Sequence, residues 1–165
     1  MQTQAVPDSE SVARILSRQW VIDGVILHMA FTLRTNETYI SVNRTSVSSY
    51  QDDVNSFVSS HTDFYADDRH TTYQRALLNV GEVRAMDVAI DGKPLDIDVE
   101  VEPRDSFTKS HAGIFTRHNG IILKTGAALS VEGLEKNVSA DDVLLEVRNE
   151  LLELARLEQC TILGD

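Results

Sequence analysis

Two different spacings of apolar residues run along this chain, and the switches between them mark its elements. The strictest alternation is at residues 95–102, where Leu95, Ile97, Val99 and Val101 are separated by Asp96, Asp98, Glu100 and Glu102. A period of two predicts a strand with one buried face and one solvated, acidic face. Just upstream, Val83, Ala85, Val88 and Ile90 lead into Asp91-Gly92, a dipeptide suited to a two-residue hairpin turn, so residues 77–102 are expected to form a β-hairpin. Residues 38–44 alternate Tyr39, Ser41 and Asn43 against Ile40 and Val42 and predict another strand. Asp23-Gly24 divides the apolar stretch 20–33 into two short strands.

Elsewhere the spacing approaches 3.6. Tyr50, Val54, Phe57 and Val58 share one face of a helix expected over residues 48–59, with Asp52 and Asp53 in a first turn that favours negative charge. Ser139 followed by Asp142 is an acidic variant of the capping box. Behind it Val143, Leu144, Val147, Leu151, Leu154 and Ala155 form the apolar stripe of a long C-terminal helix, residues 139–157. A short helix capped at Asp8 or Ser9 is expected to present Val12, Ile15 and Leu16. Residues 1–7 read as a loose tail and 61–72 as a polar loop; strand-like runs follow over 121–131, interrupted by Gly126, and at 160–163.

These elements predict a single α+β domain, residues 1–165, built on a mixed, mostly antiparallel sheet. The 139–157 helix should cover one face, sharing a core with the 77–102 hairpin. The 48–59 helix is expected beside it or at an edge. A length of 165 residues suits one core, and 42% hydrophobic with 25% charged residues is ordinary globular usage.

Charge narrows the partners. With 26 acidic against 15 basic residues the formal net charge is -11, which repels polyanions and speaks against nucleic acid. Cys160 is the sole cysteine, the N-terminus lacks the basic start and apolar run of a signal peptide, and no stretch approaches about 20 apolar residues. A cytoplasmic location away from the membrane is the expectation. The sequons at Asn36, Asn43 and Asn137 carry no weight without export.

Against this acidic background stands a basic, hydroxyl-rich island at residues 103–119. It holds His111 and His118, Arg104, Lys109 and Arg117, four hydroxyls (Ser106, Thr108, Ser110 and Thr116) and a single carboxylate, Asp105. All the cationic and hydroxyl groups are donors, so a small anion is the ligand this composition suits. If the segment is a strand, residues 111, 113, 115 and 117 share a face, and an imidazole and a guanidinium can flank one ligand. In that arrangement His111 would act as acid or base with Arg117 as the charge-stabilising catalytic partner. Lys109 and Ser110, with Arg18 and Ser41 from upstream, complete the candidate ligand-binding set. The competing reading is a polar rim whose charges offset the acidic strand.

Other candidates have simpler explanations. His61, Asp63, Asp67, Asp68 and His70 have the atoms for a divalent metal but fall in a loop without rigid support, and no metal site is assigned. Arg18, Ser41 and Glu100-Val101-Glu102 are similar in order to the arginine, serine and Glu-x-Glu of mono-ADP-ribosyltransferases, which handle NAD. Asp96 and Asp98 extend the same alternation, however, so the pattern is that of a solvated strand face. Cys160, Trp20 and Tyr39 read as packing residues, and no cofactor is assigned.

Several short patterns occur together: Ser17-Arg18, Asp23-Gly24, Ala30-Phe31, Ile40-Ser41-Val42, Val80-Gly81-Glu82-Val83 and His111-Ala112 before Ile114. In this order they resemble a group of small uncharacterised bacterial proteins in which strands precede a terminal helix. The resemblance implies the same arrangement and no activity.

The leading expectation is therefore a non-catalytic binding or accessory module acting through a protein partner or self-association, with a small anionic ligand possible in addition. The rival is a small enzyme acting on a nucleotide or phosphoester through the His/Arg/Lys site.

Overall fold

The computed structural model describes residues 5–104, 108–126, 128–129 and 138–162. Asp105, Ser106, Val131, Asn137 and Leu163, which enter the sequence expectations, lie outside these residues.

The first element corrects an expectation: Ser11–Leu16 is a strand, β1, not a capped helix. Val12 and Leu16 enter one core while Ala13 and Ile15 enter another. Burial on both faces erases the alternation by which a strand is recognised. Within the expected tail, residues 1–4 lie outside the described residues, and Val6 is 2% exposed and packs in the larger core.

Val21–Ile22 (β2) and Val25–Ile26 (β3) form the expected hairpin, Asp23 and Gly24 both adopting positive φ. Ile40–Arg44 (β4) and the helix Tyr50–Ser60 (α1) follow close to their expected positions. Thr72–Asn79 (β5) begins at the end of the polar loop, and the Asn79 side chain caps the short helix Val80–Arg84 (α2) by accepting from the Glu82 N–H. The expected 77–102 hairpin thus contains a strand end and a helix. Its turn survives only as Ala89–Ile90 (β6) against Lys93–Pro94 (β7) around Asp91-Gly92.

Ile97–Pro103 (β8) instead pairs antiparallel with His111–His118 (β9), from Ile97↔His118 to Pro103↔Ala112. This ladder has seven pairs against two for the Asp91-Gly92 arm, so the longer pairing takes the strand. The basic island is largely this strand. Ile121–Ile122 (β10) returns on β9 through Asn119-Gly120, and Ala128–Leu129 (β11) pairs with Val138–Ser139 (β12).

Ser139 and Asp142 form the expected reciprocal cap, opening Ala140–Leu154 (α3). This helix is shorter than 139–157. Arg156 and Leu157 already belong to Arg156–Thr161 (β13), which pairs with β5 with Glu158 opposite Arg75.

The main sheet is antiparallel in every pairing, with order β8-β9-β4-β1-β5-β13 and β10 on the same edge of β9 as β4. One face carries the larger core, where Leu78, Val99 and Val101 meet Val143, Val147 and Leu151 of α3. The expected common core of the 77–102 segment and the C-terminal helix is present. The 48–59 helix is displaced from its expected place: α1 packs on the opposite face, where Tyr50, Val54 and Val58 cover Ala13, Ile15 and Tyr73. Each helix has one apolar stripe, and a sheet with two apolar faces needs a cover on both. Among the described residues no helix is long and apolar enough to cross a membrane.

Candidate functional site

The face covered by α1 over β1 and β5 continues across β4, β9 and β8, and there its character changes. Registry fixes which side chains meet. Ser41 lies opposite Gly113, Asn43 opposite His111, Glu102 opposite Gly113, and Glu100 opposite Phe115. Cross-strand partners share a face, so Tyr39, Ser41 and Asn43 stand beside His111, Phe115 and Arg117. Beyond the last registered pair the Arg104 N–H donates to the His111 carbonyl at 2.8 Å, which brings Arg104 alongside His111.

Gly113 is required by the packing of this surface. A Cβ there would stand 2.6 Å from Cδ2 of Tyr39, whose ring lies across the strand. The ring sits 5.1 Å from that of Phe115 and 5.9 Å from the His111 imidazole. Above them the Arg104 guanidinium lies 4.8 Å from the Tyr39 centroid and 5.6 Å from that of Phe115, in range for cation–π attraction.

Ser41 Oγ and His111 Nε2 share a hydrogen bond of 2.7 Å. Ser41 is exposed while His111 is 7% exposed, so the hydroxyl is at the surface and the ring beneath it. Burial, with the nearby Arg104 charge, holds the His111 pKa below its ordinary value. The ring is therefore neutral at pH 7. Backbone placement of Ser41 comes from β1: its ladder with β4 is registered at Val12 and Ala13, and past it the Arg14 guanidinium donates to the Ser41 carbonyl at 2.9 Å and the Ala30 carbonyl at 3.0 Å. Burial pushes Arg14 down to about 10, with Glu37 opposing and Arg34 adding to the shift.

Two of the guanidinium groups on this face are paired with carboxylates. Arg84 reaches Glu100 and also pairs with Asp8 at 2.8 Å, and Arg117 pairs with Glu102 at 2.6 Å. Arg104 has no carboxylate partner among the described residues, and its Nε is buried without a hydrogen-bond acceptor.

The sequence candidates are distributed unevenly around this point. His111 and Ser41 are brought together from strands far apart in the chain, and Arg117 shares their face with its guanidinium bound to Glu102 and over Phe115. Ser110 is fully buried, donating to Asp53 at 2.6 Å and accepting from Asn43 at 2.9 Å. Lys109 is exposed in the turn before β9. Arg18 lies beyond the far end of β1, 3.9 Å from Asp68. Arg104 and Tyr39 were not singled out as site residues. The β4–β9 register places Tyr39 there and the β8–β9 register places Arg104, the first basic residue of the island.

In the 61–72 segment His61 Nδ1 bonds the Phe57 carbonyl, Asp67 accepts from Thr71 and Thr72, and His70 stacks on Tyr65 with centroids 4.3 Å apart. Among the described residues no three metal-ligating side chains converge. Comparison of the chain with family models, curated proteins and solved structures returns no match.

Proposed function

We propose that the protein is a non-catalytic binding module that captures an anionic group, phosphate or carboxylate, carried by a protein partner, at the Ser41–His111–Arg104 cluster. The observation that carries this reading is Arg104, a guanidinium held over two rings, with Nε buried and no carboxylate to neutralise it among the described residues. A partly desolvated, unpaired cation is costly, and an anion between Arg104, the Ser41 hydroxyl and the His111 ring offsets that cost. Nucleic acid is not the ligand in this reading, because the net charge of -11 opposes a polyanion and, among the described residues, the site offers one guanidinium without a carboxylate partner. A reducing cytoplasm suits the lone, partly buried Cys160.

One observation favours a second reading, a small phosphoester enzyme: the 2.7 Å bond gives Ser41 a neutral imidazole able to take its proton. Against it, the Arg117 guanidinium that would stabilise the transferring group is bound to Glu102. Inorganic phosphate titrated into the protein, followed by backbone amide NMR, tests the binding reading. Shifts at Ser41, His111 and Gly113, lost in Arg104→Gln, are expected. Shifts confined to other segments, or unchanged by the substitution, overturn it. Turnover of an aryl phosphate that is abolished in Ser41→Ala would replace it with the enzyme.

A further inference from the structure

On the opposite face of the sheet, between α3 and strands β4 and β9, lies a cleft of about 170 Å³. Its floor and walls are apolar, formed by Phe31, Ile40, Ile114, Leu144 and Val147. Five polar side chains interrupt them: Thr32, Thr116, Thr125, Asp141 and Arg148. The Thr125 hydroxyl oxygen is buried and has no hydrogen-bond partner among the described residues, and Arg148 is a half-buried guanidinium that donates to the neutral side chain of Asn149 at 3.2 and 3.4 Å. The Asp141 carboxylate already accepts from the Gly126 N–H at 2.9 Å.

We infer that this cleft is a binding site for a short-chain aliphatic monocarboxylate, its chain on Ile40, Ile114 and Val147 and its head group on Thr125 and Arg148. Size sets the chain: a dry apolar cavity of roughly 150 Å³ holds a benzene-sized body, about six carbons. Chemistry sets the head group. A buried hydroxyl without an acceptor costs about 1–3 kcal/mol, and a carboxylate both accepts from it and pairs with a guanidinium. A neutral alcohol meets the first need and not the second. The site is independent of the Ser41–His111–Arg104 cluster, because the side chains of Ile40 and Ile114 alternate with Ser41 and Gly113 and point to the other face.

Acetate, butanoate and hexanoate titrated separately, with amide NMR as the readout, test this. Hexanoate is expected to shift Ile114, Thr116 and Leu144, with affinity rising about fourfold for each methylene added between butanoate and hexanoate. Thr125→Val, which keeps shape and removes the hydroxyl, should weaken hexanoate about tenfold. Arg148→Gln should weaken hexanoate and leave hexanol unchanged. Both positions lie at the cleft margin, so an unchanged amide spectrum elsewhere shows that the fold is intact. Affinity independent of chain length, binding unaltered in both variants, or shifts confined to Ser41 and His111 would overturn the assignment.

Discussion

Ser41 Oγ and His111 Nε2 meet at 2.7 Å across β4 and β9, although 70 positions separate them in the chain. The bond ties an exposed hydroxyl to a buried ring, and its setting determines how the protein responds to pH. Burial and Arg104 depress the His111 pKa, so below the ordinary histidine value the unfolded chain is more protonated at this position than the folded one. Stability contributed by the neutral ring is complete above about 6.5, the unfolded value, and is lost as pH falls from there through the folded pKa. Urea unfolding at pH 7.5 and pH 5.5 should show a smaller loss on acidification in His111→Gln than in the unaltered protein. Equal losses would contradict the sign.

Gly113→Ala is expected to disrupt the cluster from below. The new methyl group collides with the Tyr39 ring, and the ring carries Arg104. Overpacking of this kind costs about 1–3 kcal/mol. Chemical denaturation should show that loss together with weakened phosphate binding, and intact binding would mean that Tyr39 does not position Arg104.

Leu151 is fully buried where α3 meets the sheet. Leu151→Ala should destabilise the protein by about 2–5 kcal/mol in a denaturant titration.

Glu10 and Arg44 form a buried pair, with guanidinium bonds of 2.8 and 3.1 Å and a further donor in Ser46. Burial raises the Glu10 pKa, but the bonds from Arg44 and Ser46 outweigh it and leave the carboxyl below its ordinary value. Its stabilisation is present above about pH 4.3 and disappears as pH falls through the folded pKa. Glu10→Ala removes the carboxylate on which both guanidinium bonds end and should cost about 3–5 kcal/mol at neutral pH. Retained stability would show that the pair is dispensable.

Elements with one buried face were legible in the sequence. The Asp98–Glu102 alternation, the Ser139 cap and the α1 stripe each kept a solvated side, and each was placed within a few residues. The same acidic alternation said nothing about pairing, because β8 is matched to β9 by the length of the ladder. Central strands were the hard cases: β1 and β5 bury residues on both faces, so their apolar spacing has no period of two. At the site, His111 and Ser41 were identifiable from residue type, whereas Arg104 acquires its place only from the register opposite His111. Ser110 illustrates the converse, since a donor in a basic island proves to be spent on Asp53 and Asn43.

The imidazole pKa of His111, followed by NMR with and without phosphate and in Arg104→Gln, tests the central claim most directly. An anion seated between Arg104 and His111 favours the protonated ring, so phosphate is expected to raise this pKa, and equally the anion binds more tightly as pH falls below the ordinary histidine value. Removing Arg104 should raise the pKa in the absence of phosphate, because a repelling charge is gone, and should abolish the further rise on adding the anion. A His111 pKa unmoved by phosphate in the unaltered protein would contradict the account.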